Sequence, residues 1–261
     1  MQLVTQIKEF PEILSAGIPR SRFEDADYLA IMCHEIGTPL TSIIGLSHIL
    51  SDRECSPEKK SKCAEMLRDS SNMLMELMRN MLDSSKLDAG MIEIEDIDFD
   101  LVKVVQEAVH IIATKAAEKG LDLYVHITNR VPPQWVGDPL RIRQILLNLL
   151  SNAVKFTERG KISLYVNAKF DRHGNNQLCI TVADTGMGIS KESLKKIFSK
   201  YTQANAGISR KHGGTGLGLS ISQDLAHRMH GDIAVKSWPG MGSHFIVTLP
   251  LHKATALLAA T

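Results

Sequence analysis

Two periods of apolar residues divide the chain. From Phe23 to Leu50, the positions Leu29, Met32, Ile36, Leu40, Ile43, Ser47 and Leu50 recur at intervals of three and four, which at about 100° per residue places them on one side of an α-helix. His34 falls opposite this stripe, with Thr38 one turn on along the same outward face and Glu35 as its neighbour. Pro39 lies in the helix interior, where it removes one backbone hydrogen bond and predicts a bend just past His34. Gly37 and Gly45 loosen the helix further. The turn Ser51–Pro57 leads to a second helix from Pro57 to Asp88 with a matching stripe of Cys63, Leu67, Ser70, Leu74, Leu77 and Met81. Two such helices form an α helical hairpin. Because the hairpin cannot bury both stripes alone, pairing of two chains into a dimeric four-helix bundle is expected, and with it a homodimer.

At Ala89-Gly90 the helix ends, and Met91-Ile-Glu-Ile-Glu changes the period to alternation, which marks a domain boundary. The pattern then predicts a helix over 101–119, a strand over 121–127 and a helix over 139–156 N-capped by Asp138. Strands follow at 161–168 and 177–183, joined by the turn Arg172-His-Gly-Asn-Asn. A short helix over 191–198, a helix over 217–229 and strands over 232–237 and 243–249 complete the series. Helices on one face of a mixed, largely antiparallel sheet make a two-layer α/β sandwich. The expected organisation is therefore a connector over 1–22, broken by Pro11 and Pro19; a helical domain over 23–88; an α/β domain over 89–250; and a tail or linker over 251–261. The stretch from Asp88 to Asp100 is a candidate hinge.

Composition narrows the function class without naming it. The 261 residues are 44% hydrophobic and carry a formal charge of +1, enough to bury two modest cores and too balanced to favour nucleic acid or an acidic substrate. The four cysteines, Cys33, Cys55, Cys63 and Cys179, show no CxxC pair or metal-ligand spacing, so free thiols in a reducing, cytoplasmic setting are expected. Neither a membrane-length apolar run of roughly 20 residues nor a signal peptide is present, so membrane contact would come through a parent protein. Met66, Met73, Met75, Met78 and Met81 gather in one helix as flexible core filling. His48, His227 and His230 read as packing or helix-end residues, and Cys33, without a nearby cation, as an inert thiol.

Four blocks in the second domain have the composition of a nucleotide site. Asn148 and Asn152 stand one turn apart on one helix face, so their amide oxygens can converge on a Mg²⁺ that keeps several waters, and Lys155 about a turn further on could reach a phosphate. Asp184-Thr-Gly186-Met-Gly188 follows a strand, where a carboxylate can accept from an exocyclic amine while glycines admit a base. Gly213-Gly214-Thr215-Gly216-Leu217-Gly218-Leu opens a helix whose N-terminal amides suit a polyphosphate. Gly240-Met-Gly-Ser makes a tight connection that would pack against this site. The spacing is not GxGxxG after a strand, no GxxxxGK[ST] occurs, and HRD and DFG sequences are absent.

Taken in order, His34-Glu-Ile-Gly-Thr-Pro-Leu, the helix from Gln144 to Thr157 with its two asparagines, Asp184-Thr-Gly-Met-Gly-Ile, Ile197-Phe-Ser-Lys-Tyr and Gly213-Gly-Thr-Gly-Leu-Gly-Leu resemble the H, N, G1, F and G2 boxes of sensor histidine kinases. The resemblance covers about residues 23 to 250, and Gly45-Leu-Ser-His-Ile-Leu and Phe198-Ser-Lys-Tyr-Thr-Gln look most like hybrid kinases of the anoxic redox-control type. It implies a dimerisation and phosphotransfer hairpin before a Bergerat-type ATP-binding fold, with autophosphorylation, onward transfer to an aspartate of a response regulator, and a phosphatase reaction. On matching positions it implies His34 as phosphoacceptor, Glu35 as base and Thr38 as the hydroxyl that positions water. Asn148 and Asn152 would hold Mg²⁺ and phosphate, Lys155 and Phe156 would flank ATP, and Asp184 with Gly186 and Gly188 would read adenine. Phe198 to Gly214 would form a mobile lid with Arg210 on the γ-phosphate, and Thr215, Gly216, Leu217 and Gly218 would complete the phosphate loop. The family suggests a parent anchored in the inner membrane. Gly37 departs from the pattern, standing where many relatives carry arginine. Related Bergerat ATPases place a water-activating glutamate at the position of Asn148. Asparagine cannot act as a base, so phosphoryl transfer is expected over a Bergerat-fold ATPase machine or a non-catalytic dimeric scaffold.

Overall fold

The computed structural model describes residues 24–52, 55–170, 176–200 and 216–253, with the side chains of the first helix described from Met32 onward except His34. Two compact units divide the chain at Leu82/Asp83. In the first, α1 (Glu24–Ser51) and α2 (Pro57–Asp88) are both continuous. Pro39 is accommodated inside α1 with its ring buried. Just beyond it, the Thr41 hydroxyl donates to Gly37 O at 2.7 Å and the Ser42 hydroxyl to Thr38 O at 3.2 Å, the back-bonding to the preceding turn that Ser and Thr make inside helices. Ser56 starts α2 by accepting from the Lys59 amide at 3.3 Å, and Pro57 occupies the first helical position.

The stripe expected on α2 is the side that becomes buried: Cys63 and Leu77 are buried, while Leu67, Ser70, Leu74 and Met81 are half-buried. On α1, Met32, Ile36, Leu40, Ile43 and Leu50 are half-buried, whereas Ser47 is exposed and its neighbour Leu46 takes the buried place. Met66, Met73, Met75 and Met78 do not fill the core. They are exposed, because they sit off the stripe on the remaining faces of α2.

The second unit holds β1 (Ile97–Asp100), α3 (Leu101–Glu118), β2 (Asp122–Ile127), β3 (Gln134–Gly137), α4 (Pro139–Phe156), β4 (Lys161–Phe170) and β5 (Asn176–Asp184). After these come α5 (Lys191–Leu194), α6 (Gly218–Arg228), β6 (Asp232–Trp238), β7 (Gly242–Leu249) and β8 (His252–Lys253). The main sheet runs β2-β4-β5-β7-β6, and only the β2·β4 pair is parallel, as a connection through a helix allows. Alternation places Ile162, Leu164, Val166, Leu178, Ile180, Val182, Val247 and Leu249 inward, all buried. Across this layer lie Val105, Ala108 and Ile112 of α3, Ile142, Ile145, Leu146 and Leu149 of α4, and Ile221 and Leu225 of α6. The expected two-layer sandwich is thus present.

A second sheet, β1-β3-β8, is an addition that the sequence pattern did not reveal. Pro132 and Pro133 obscured β3, although Trp135 is fully buried and its indole N–H donates to Pro132 O at 2.7 Å. Residues 91–96, expected to alternate as a strand, bury Ile92 but join no ladder until Ile97. The segment read as a tail contributes buried Leu251 and pairs His252 with Val136. The short helix expected to reach Phe198 stops at Leu194 and continues as turns. The stretch proposed as a hinge is tied down within the second unit: Glu95 N–H donates to Asp138 Oδ2 at 3.2 Å, and the Arg228 guanidinium reaches the carbonyls of Leu87 and Ile92.

Candidate functional site

The site is built on the exposed side of α4. Asp138 caps the helix by accepting from Arg141 N at 2.9 Å, and Pro139 sets the first turn. Seven apolar residues of α4 turn into the core, which leaves Asn148, Asn152 and Lys155 half-buried along the other side. Asn148 Nδ2 donates to the hydroxyl of Ser222 at 2.7 Å, and Asn152 Nδ2 lies 3.4 Å from Asn148 Oδ1. The two asparagines are therefore adjacent, as their spacing predicted, but Asn148 Oδ1 faces the Asn152 amide nitrogen, so the two amide oxygens do not converge here, and α6 is an unforeseen third party. Lys155 Nζ stands 5.1 Å above the Phe156 ring. Lys119, another residue the sequence did not single out, donates to Val154 O at 2.7 Å and caps the C-terminal end of α4.

Asp184 terminates β5 and is buried, with 7% of its surface exposed. Burial pushes its carboxyl above the usual carboxylate range, an effect opposed by the amides of Gly186 and Ser243 and by His244. Its Oδ1 accepts from Gly186 N at 2.8 Å, which curls the following loop back over the strand end. That loop meets α4: Met187 N–H donates to Phe156 O at 3.3 Å. Gly188 adopts φ +68° against the carbonyl of Trp238, leaving no room for a Cβ. Gly240 N–H donates to Met187 O at 2.7 Å, and the Ser237 hydroxyl accepts from Ile189 N at 2.8 Å. The Gly240-Met-Gly-Ser connection thus packs on the loop as expected, while Ser237 is a support that no motif flagged.

At the start of α6, Gly218 approaches Asn148 so closely that a Cβ would strike its side-chain oxygen. Gly216 and Leu217 lead into this turn, Leu217 fully buried and accepting from the Ser220 hydroxyl at 2.9 Å. Ile197 is buried and Phe198 half-buried at the far side of the expected lid. Arg210, Gly214 and Thr215 lie outside the described residues. Gly218, Asn148 and Asn152 are thereby in contact along α4, and the Asp184–Gly188 loop meets Phe156 at the end of the same helix.

In the first unit, His34 lies within α1, its side chain outside the described ones, while Glu35 is half-buried and Thr38 exposed one turn on. A side chain at position 37 would meet open space, so the helix itself imposes no steric need for glycine there. Among the described residues, no helix is long and apolar enough to cross a membrane.

Comparison with known proteins accords with this geometry. Residues 25–90 match the His Kinase A (phospho-acceptor) domain, and residues 137–253 match the histidine kinase-, DNA gyrase B- and HSP90-like ATPase domain. The chain is 40% identical over 220 residues to the signal transduction histidine-protein kinase BarA of Escherichia coli K12, covering 84% of this chain and 24% of that protein. It is also 40% identical over 229 residues to the sensor protein GacS of Pseudomonas syringae pv. syringae, covering 88% and 25%. It thus spans about a quarter of the length of these curated relatives. A crystal structure of full-length ShkA in complex with AMPPNP superposes with a TM-score of 0.65 at 29% identity, over 88% of this chain and 47% of that one.

Proposed function

Because the chain belongs to the sensor histidine kinases, joining a phospho-acceptor domain to a histidine kinase-like ATPase domain, we propose that it transfers the γ-phosphoryl group of ATP to His34 as a step in two-component signalling. The observation that carries this reading is the convergence on α4: Gly218 against Asn148, Asn152 beside it, and the buried Asp184 loop on Phe156. In this site the Asp184 carboxylate accepts from the exocyclic amine of adenine, Gly186 and Gly188 let the base approach the backbone, and Phe156 and Lys155 flank the nucleotide. The N-terminal end of α6, with Gly216 to Gly218 leading into it, would offer amides to the phosphates, and Gly214 and Thr215 belong to the same proposed loop.

Among the described residues no three of His, Cys, Asp or Glu converge as a metal-binding group. A cation here would rest on the amide oxygens of Asn152 and Asn148, phosphate oxygens and water, a donor set that fits Mg²⁺. When bound, Mg²⁺ would supply charge neutralisation for the transferring group. Arg210 and Lys155 would add positive charge from the protein.

In the transfer itself, a neutral imidazole nitrogen of His34 forms the N–P bond as the bond between phosphorus and the β,γ-bridging oxygen breaks, leaving ADP. Glu35, the neighbouring carboxylate, would take up the proton released from the other ring nitrogen as the phosphoimidazole forms. Asn148 does not activate water, so hydrolysis is slow and the phosphoryl group goes to the histidine. From phosphorylated His34 it passes to an aspartate of a response regulator receiver domain, and Thr38 orients water in the reverse, phosphatase reaction. The half-buried stripes of α1 and α2 support a homodimer, in which a second copy completes their burial.

The test is incubation with γ-labelled ATP and Mg²⁺, comparing the intact chain with His34→Ala. Label on the first and none on the second is expected. Equal labelling of both would move the acceptor elsewhere, and nucleotide binding without labelling of either would contradict the kinase reading.

A further inference from the structure

The C-terminal end of α2 and the segment after it, residues 83–95, all belong to the ATP-binding unit and are held there by side chains from three places in its fold. From α4, Gln144 Nε2 donates to Asp83 Oδ2 at 2.7 Å, its amide oriented by Arg141 Nη1 on Oε1 at 3.1 Å. From the turn after α5, Lys200 pairs with Asp88 and lies 3.9 Å from Asp224. From the last residue of α6, Arg228 Nη2 donates to Leu87 O at 2.6 Å and Nη1 to Ile92 O at 3.1 Å. These contacts are not equivalent. The Lys200–Asp88 pair is substantially solvated, 63% of the Asp88 side chain being exposed, and such pairs add little. The Arg228 bonds are half-buried and charge-assisted, and they join two carbonyls five residues apart across the end of α2, one on each amino group of the planar guanidinium fork.

Arg228 also sits on a helix with a second task. The first residue of α6, Gly218, abuts Asn148, and Ser222 one turn later accepts its amide. The eleven residues of α6 therefore join the asparagine pair at one end to the α2 terminus at the other.

We propose that Arg228 is a positioning residue for phosphoryl transfer to His34: by fastening the α2 terminus to α6 it shortens the free tether between the ATP-binding unit and the helices that carry the acceptor. This inference rests on the kinase reading. Without the clamp, the segment keeps its contacts at Asp83, Asp88 and Glu95 but loses its fastening at Leu87 and Ile92, and the concentration of bound ATP that His34 experiences falls as the tether loosens. The nucleotide itself is untouched by Arg228, so its affinity stays the same.

The experiment uses the whole chain and measures the His34 labelling rate against ATP concentration, ATP affinity by direct titration, and hydrogen exchange at residues 87–92. For Arg228→Ala, labelling at saturating ATP should fall roughly tenfold, ATP affinity should hold within about twofold, and amides 87–92 should exchange faster. Arg228→Lys, which keeps the charge but lacks the planar fork, should fall between the two and shows that the loss is graded and not a failure to fold. An unchanged labelling rate in Arg228→Ala would overturn the proposal, as would a loss of ATP affinity in step with the rate. If the unsubstituted chain binds ATP but takes no label, the kinase reading fails as well. Equal labelling by both chains removes the role of Arg228 alone.

Discussion

A buried carboxylate is costly, and Asp184 bears that cost at the end of β5. Burial holds its pKa above the ordinary carboxylate value, so the charged form is disfavoured in the folded state. The contribution of this group to stability is therefore fully present below the unfolded pKa and is lost as pH rises through the raised folded one. Asp184→Asn removes the charge while keeping an oxygen for the Gly186 amide. The variant is expected to melt at or above the parent temperature at neutral pH, with less decline between acid and neutral pH. Its nucleotide affinity should fall roughly ten- to hundredfold, because a hydrogen bond to a charged acceptor is lost. In the parent protein, nucleotide binding should weaken as pH falls through the raised pKa. Calorimetric melting and nucleotide titration across pH check both signs. Gly37 makes the opposite case: open space surrounds it, and no positive φ requires glycine. Gly37→Ala should stabilise α1 by about 0.5–1 kcal/mol, read from the denaturation midpoint of the first unit.

At this scale the sequence was informative about residues that carry chemistry and poor on those that hold them. Asp184, Asn148 and Asn152 are legible because their blocks occur in a fixed order with the glycine-rich stretches, each block being weak by itself. Ser222, Ser237, Lys119 and Arg228 are ordinary helix and strand residues. Their partners lie far away in the chain, 136 and 141 positions in the case of Arg228, and no local pattern encodes that distance.

At the scale of elements, the long helices and the strands of the main sheet were legible because each alternates or repeats with its own period. β1, β3 and β8 were not. They span four, four and two residues, β3 follows two prolines, and β8 lies within a segment whose composition suggests a tail. What holds the site elements together is close backbone approach. The loop after β5 can lie on α4 and on the β6–β7 connection only if Gly188 keeps φ +68° and presents no side chain to Trp238 O. Gly188→Ala should cost about 2 kcal/mol or more and displace the loop that carries Gly186 and Met187. Urea denaturation would show the lower midpoint, and nucleotide titration a parallel loss of affinity. An unchanged midpoint would mean that the loop relaxes without strain.

For the whole molecule, a helical unit ending inside α2 and a second unit beginning at Asp83 put His34 and the asparagine pair in different bodies, so the proposed transfer joins the two. Separate units explain why His34 and the asparagine pair are more than a hundred residues apart in the chain, and why the boundary expected at Gly90 was legible only as the end of a helix. The contacts that place residues 83–95 with the second unit are long-range side-chain bonds, which the change of period at Met91 cannot report. The account stands or falls on where the γ-phosphoryl group goes once ATP is bound. The measurement that decides this most directly follows protein-bound label and free phosphate together after mixing with γ-labelled ATP and Mg²⁺, then exposes the labelled protein to acid and to base. Transfer to His34 should give label that is stable in base, lost in acid and absent from His34→Ala, with free phosphate released slowly by comparison. Steady release of phosphate with no acid-labile label on the protein would contradict it.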